Sequence, residues 1–375
     1  MPTRQKLVTF GIPTAAAATI VLAASLSPWS QRRDSAPRVP LASGHQIDVV
    51  FAVDTTGSMG GLIDGAKRTV WSIANHIKKT DPNADIRIGL VAYRDVTDDY
   101  VTRPFALTTD LDAVFAELSS YEASGGGDNP EHVAAALDVT LHAMQWRGDA
   151  KKLVFVVGDA PPAERDDGLR FEDLAREAST KRIIINTIRA GGSDDTARAF
   201  QYMASLANGE FSSIQQDGGV QQIATPYDDK LAALSARIDN TAIIAGDEGV
   251  RMRYQAKRAA AEAAPAESKA DRASYYAQQG GLGRSNDDLV GSYATGADLG
   301  AVDPGALPAD MRGLDKDALK QELDRRVAER KTVQQEIDAL VKQRDAYLKG
   351  QAAEGGGGAA FDTAVKATVE KQLLD

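Results

Sequence analysis

Near-continuous apolar runs, alternating with stretches of helical period, constrain this chain most. Ile47–Val53, Ile86–Tyr93, Lys152–Val157 and Ile183–Ile188 are dominated by Val, Ile, Leu, Phe and Ala, and Glu210–Ile214 is a weaker run of the same kind. A strand that is apolar at nearly every position, rather than every second one, is covered on both faces, as parallel strands are. Between the runs, Leu62, Ala66, Val70, Ile73 and Ile77 fall three or four residues apart, the spacing of one helix face. Leu111, Val114, Phe115 and Leu118 repeat it, as do Val133, Ala136, Leu137 and Leu141. Tyr100–Leu107 reads as an edge strand joined to its predecessor by a short polar turn. The alternation predicts an α/β fold, a doubly wound, mostly parallel sheet with helices on both faces.

Polar side chains gather where three of these elements end. The first run stops at Asp54 and is followed by Thr56 and Ser58; "SGGGDNPEH", Ser124 to His132, leads into a helix; "VVGDAPP" places Asp159 after an apolar strand. In doubly wound sheets such strand ends share one edge, near the switch point where ligands bind. Asp54, Asp128 and Asp159, with Thr56 and Ser58, would therefore converge with no basic residue inside the motifs. Carboxylates that close repel one another unless a cation sits among them. With no cysteine in the chain and four histidines, none in HxxxH spacing, any metal is held by oxygen, which suits Mg²⁺, Mn²⁺ or Ca²⁺. Plainer readings stand beside this one. Asp128, before Pro130 and Glu131, reads equally as a helix cap; Thr56 and Ser58 as caps of the next helix; Asp159 as the close of a turn. Asp95 reads as a supporting group or a solvated turn acid, Glu131 as a first-turn acid, and His132 as a surface helix residue.

Asp-x-Thr-Gly-Ser after a hydrophobic strand resembles the metal-ion-dependent adhesion site of von Willebrand factor type A domains. The resemblance covers roughly His45 to Asn240 and includes "YRD" at Tyr93–Asp95, the GGGDxPE loop, the GDAPP stretch and "MASLANGEFSSI". It implies that Asp54, Thr56 and Ser58 are the first-loop ligands and Asp159 the third-loop aspartate. The second loop departs from the family, with Asp128 where a threonine is usual. Three carboxylates would neutralise a divalent ion, tilting the site towards Ca²⁺ and weakening its pull on a partner's acid.

The remaining chain is expected to be organised as follows. Residues 1–30 carry Arg4 and Lys6 before an uncharged stretch from Leu7 to Ser30, which reads as an export signal or a retained membrane anchor. Residues 31–45 are a spacer, 46–240 the α/β domain, 241–279 a helical extension, and 280–313 a Gly/Asp/Pro linker. Residues 314–349 read as a charged helix with a narrow apolar stripe (Leu319, Leu323, Val333, Ile337, Leu340), expected to self-associate, as in a coiled coil, or to dock on a partner helix. Residues 350–375 hold a glycine linker and a short final helix.

A net charge of −10 argues against non-specific nucleic-acid binding. The resemblance implies a non-enzymatic, metal-dependent protein-binding module, here of the cell envelope, whose cation is completed by a partner's acidic side chain. An adaptor of an ATP-driven assembly machine is the alternative if the domain is cytoplasmic. A metal-dependent phosphohydrolase is disfavoured: it needs Asp-x-Asp, Thr56 holds the second acid's place, and the three loops offer no lysine for a phosphate.

Overall fold

The computed structural model describes residues 45–126, 130–220, 222–285, 287–354 and 360–374. The expected signal or anchor and most of the spacer fall in residues 1–44, outside these, as do Asp128 and residues 355–359 of the glycine linker. Among the described residues no helix is long and apolar enough to cross a membrane.

The α/β part runs β1 (Gln46–Asp54), α1 (Gly60–Thr80), β2 (Asp85–Tyr93), β3 (Thr102–Thr108), α2 (Leu111–Ser119), α3 (Val133–His142), β4 (Lys151–Gly158), α4 (Phe171–Thr180), β5 (Ile183–Ala190), α5 (Asp194–Leu206) and β6 (Phe211–Ile214). The six strands are ordered β3-β2-β1-β4-β5-β6, all parallel except the antiparallel edge pair β2–β3. Every expected strand is present. Alternation along β1 explains its unbroken apolar sequence. Ile47, Val49, Phe51 and Val53 join α1 and α2 in one core, while Val50 and Ala52 join α3, α4 and α5 in the other. Phe51 and Phe155 stack across β1 and β4 with centroids 5.3 Å apart.

Because the chain leaves β1 towards β2 and later returns to β1's other side with β4, the switch point lies between β1 and β4. Register sets Asp54 beside Tyr93 of β2, and Val53 beside Val157 of β4. The carboxyl ends of β1 and β4 are thus adjacent, and Asp54 and Asp159 follow from that.

Beyond the sheet come α6 (Asp228–Asn240), α7 (Glu248–Ala263), α8 (Ala266–Gln278), α9 (Leu289–Ala294), α10 (Lys316–Glu354) and α11 (Phe361–Leu374). Two expectations change here. The stretch 280–313 is folded rather than a bare linker: Leu289, Val290, Leu307 and Met311 are buried with Ile243, Leu319 and Leu323. The apolar stripe of α10 is covered by its own chain, since Val333 and Ile337 pack with Leu231, Leu234 and Ile238 of α6 and Ala270 and Ala273 of α8. Of the two arginines that interrupt the stripe, Arg330 is buried, bonding Asp288 and Thr241, and Arg326 is half-buried, donating to the carbonyls of Thr241 and Ala242; Arg344, also buried, bonds Asp228 and Asp271. The last helix, α11, inserts Phe361, Val365 and Val369 into the core beside Phe51.

Candidate metal centre at the β1–β4 edge

Asp54 is fully buried at the end of β1. Its Oδ1 accepts hydrogen bonds from the Thr56 amide (2.8 Å) and the Thr56 hydroxyl (2.7 Å), a tight turn that fixes the carboxylate. Its Oδ2 is buried with no hydrogen-bond partner among the described residues. Such an atom is costly to leave unmet. Burial, reinforced by the charge of Asp159, pushes the Asp54 carboxyl up to about 7 against the downward pull of the two Thr56 bonds. An oxygen of this kind wants a proton or a cation.

The capping alternatives for the first loop are not realised. Thr56 and Met59, the residues preceding the short 3₁₀ turn Gly57–Met59 and α1, make no side-chain cap bond. Ser58 is exposed on that turn. Asp159 receives the Gln216 amide on Oδ2 at 2.7 Å, and Gln216 also reaches the Ser58 carbonyl at 3.3 Å. The Asp159 carbonyl accepts the Thr196 hydroxyl. The first and third loops are therefore joined through Gln216, a residue the sequence did not single out.

The second loop docks on the first. The Gly57 amide donates to Gly125 O and the Ser124 amide to Thr55 O. Gly125 and Gly126 have φ of +77° and +76°, which favours glycine, and a side chain at Gly126 would strike Thr56. Asp98 holds this turn by accepting the Gly126 amide at 3.0 Å. Asp128 lies outside the described residues. The cap of α3, however, is His132, whose Nδ1 accepts the Ala135 amide while its Nε2 pairs with Asp167 at 2.8 Å. His132 is buried, not a surface residue, and Glu131 is buried before the helix where it bridges to Pro162 of the third loop.

Asp95 is not a solvated turn acid. It is buried and accepts hydrogen bonds from Nε and Nη2 of Arg165, from the third loop. Arg94, also buried, donates to the carbonyls of Thr55 and Glu122 behind the first and second loops. "YRD" and "GDAPP" are coupled at a further point: a Cβ on Gly158 would lie 2.5 Å from the Tyr93 hydroxyl, which itself donates to Val157 O. Two arginines, Arg94 of YRD and Arg165 beyond GDAPP, thus clamp the three loops. Among the described residues no group of three or more His, Asp or Glu is placed to hold one ion; the carboxylates brought together are Asp54 and Asp159.

Residues 48–226 match the family model described as von Willebrand factor A domain. This stretch, just under half of the chain, is similar to von Willebrand factor A domains. The chain is similar to the alpha-protein kinase vwkA of Dictyostelium discoideum, 28% identical over 144 residues, covering 34% of this chain and 23% of that protein. It is also similar to the rat von Willebrand factor A domain-containing protein 7, 33% identical over 127 residues, covering 34% of this chain and 13% of that protein. The matches span less than a quarter of these relatives. Among solved structures, a form of mussel byssus proximal thread matrix protein 1 with a zinc-occupied MIDAS motif aligns at TM-score 0.36 and 14% identity, over 46% of this chain and 42% of that one. The α/β domain's additions to the bare ligand motifs are the clamps: Arg94 and Arg165, with Gln216 across the top.

Proposed function

We propose that this α/β domain is a non-enzymatic protein-binding module that presents a divalent cation to a partner. Asp54, Thr56, Ser58 and Asp159 are the candidate holders, and Asp128 remains a candidate on sequence alone. The observation that carries the reading is the Asp54 Oδ2 atom, buried, without a partner among the described residues, and held in place by Thr56 at the end of β1. A bound cation would supply the positive charge this carboxylate lacks; Thr56 orients it, and Gln216 holds Asp159 against it. Oxygen donors of this type suit Mg²⁺, with Mn²⁺ and Ca²⁺ as close alternatives. The cell-envelope location rests on the reading of residues 1–30 as an export signal or anchor.

The test is thermal denaturation of the full chain in Mg²⁺ or Mn²⁺ and in chelator. A ligand bound only by the folded state at a hundred times its Kd adds about 2.7 kcal/mol of stability. The melting temperature should rise with metal in the wild type and not in Asp54→Ala. An unchanged wild-type melting temperature refutes the cation site.

A further inference from the structure

The charge on this face exceeds what a cation site needs. In a parallel sheet the segments that follow the strands share one edge and those that precede them share the other. The described segments 54–59, 94–100, 122–126, 130–132, 159–170, 189–195 and 215–219, all at the site edge, contain thirteen Asp and Glu against four Arg and no Lys. The segments at the opposite edge, 78–85, 109–110, 146–152, 180–182 and 207–210, contain seven Lys and Arg against five Asp and Glu. The protein's negative charge is therefore concentrated around the candidate cation and is not spread over the molecule.

Burial and pairing account for only part of it. Asp95 is neutralised by Arg165, and Asp167 is paired with His132. Asp99, Glu164 and Asp194, each about nine-tenths exposed, pair only loosely with Arg94, Arg170 and Arg189, at 3.7, 3.8 and 4.0 Å, where water screens the attraction, and Glu122 and Asp166 are exposed. A single bound divalent ion leaves the rim strongly negative. A partner surrounding its metal-completing oxygen with acids would be repelled, and one surrounding it with Lys and Arg would be drawn in.

We infer that the partner docking on this edge is a basic protein segment, one in which a metal-completing carboxylate is flanked by lysines or arginines. The inference rests on the proposed cation site: the buried Asp54 Oδ2, without a partner among the described residues, marks where the cation and the partner's oxygen would meet, and the rim selects what surrounds that oxygen. The association rate then falls with ionic strength, because exposed charges are screened within about 8 Å near physiological salt.

Two synthetic peptides test this on the full chain, each with one central aspartate, flanked by three lysines on each side or by three glutamates. Binding is followed by fluorescence anisotropy in Mg²⁺ and in chelator, at about 50 mM and about 300 mM NaCl. The lysine-flanked peptide should bind at least about tenfold tighter than the glutamate-flanked one, and weaken in chelator and in high salt. The variant Glu122→Gln/Glu164→Gln/Asp166→Asn should lose most of that preference while keeping its metal-dependent melting shift. Equal binding of both peptides, with the melting shift intact, overturns the inference and leaves the cation site standing. Lysine-peptide binding unchanged by chelator, with no melting shift, keeps the basic preference and removes the metal. Binding of neither peptide, or salt-sensitive self-association that excludes them, overturns the inference and in the second case assigns the edge to another copy of the chain.

Discussion

At the scale of single residues, Asp54 decides how the site behaves. Its carboxyl is pushed up to about 7 chiefly by burial, so ionising it in the folded chain is unfavourable without a cation. Asp54→Asn keeps an oxygen for the Thr56 bonds and removes the charge. At pH 8 in chelator this variant should melt at least as high as wild type, and adding Mg²⁺ should raise wild type alone; calorimetry reads both. Arg165→Ala leaves Asp95 buried and unpaired. It should lower stability in chelator and weaken metal binding together, because the loop that carries Asp159 loses its anchor; titration calorimetry checks the second effect. Asp54 and Asp159 were legible in the sequence because each ends an apolar run, and a carboxylate at the end of a buried strand needs a reason. Arg165, Asp98 and Gln216 were not. Their partners depend on how three loops fold over one another, which no residue spacing encodes.

At the scale of elements, the strands were legible because near-continuous apolar sequence has few other uses, and each was placed to within a few residues. The helical region was read less well for a physical reason. The segment 280–313 has few large apolar residues, yet Leu289, Val290, Leu307 and Met311 are all spent on one small core. Charged residues misled in the same way, since Arg272, Arg284, Arg330 and Arg344 are buried in ion pairs and look solvent-facing in sequence. Asp239 takes Arg272 and Arg284 at once. Burial raises its carboxyl, but the two guanidinium groups outweigh this and bring it to about 2. A depressed folded value contributes stability above the unfolded value, about 3.9, that is lost as pH falls towards 2. Asp239→Asn should therefore flatten the acid limb of the stability curve between about pH 4 and 2, where wild type loses about 2 kcal/mol, as followed by circular dichroism. On α11, Gln372 exchanges hydrogen bonds with buried Asn186 of β5 at 2.8 and 3.1 Å. Gln372→Ala strands that amide and should cost about 1–3 kcal/mol in urea unfolding. Phe361→Ala should cost about 3–5 kcal/mol in the same assay.

At the scale of the whole molecule, the α/β domain is not bounded by the residues that match the family model. The face of the sheet carrying Phe51 and Phe155 is closed by α1 and by α11, and α8 packs on α1 through Tyr275 and Tyr276. A chain ending at Asn240 keeps every strand and every candidate ligand described here but exposes this apolar surface. It should melt lower than the full chain and bind a hydrophobic dye at temperatures where the full chain does not, although the sequence reading places a domain boundary there. The same arrangement has a consequence in time. All six strands are synthesised by Ile214, yet the helix that seats against Phe51 begins at Phe361. At about 5–20 residues per second, the ribosome leaves that hydrophobic face uncovered for roughly ten seconds. For that interval the nascent chain is a ready client for a chaperone, and the order of synthesis, rather than the strength of any contact, decides when this protein first acquires a finished core.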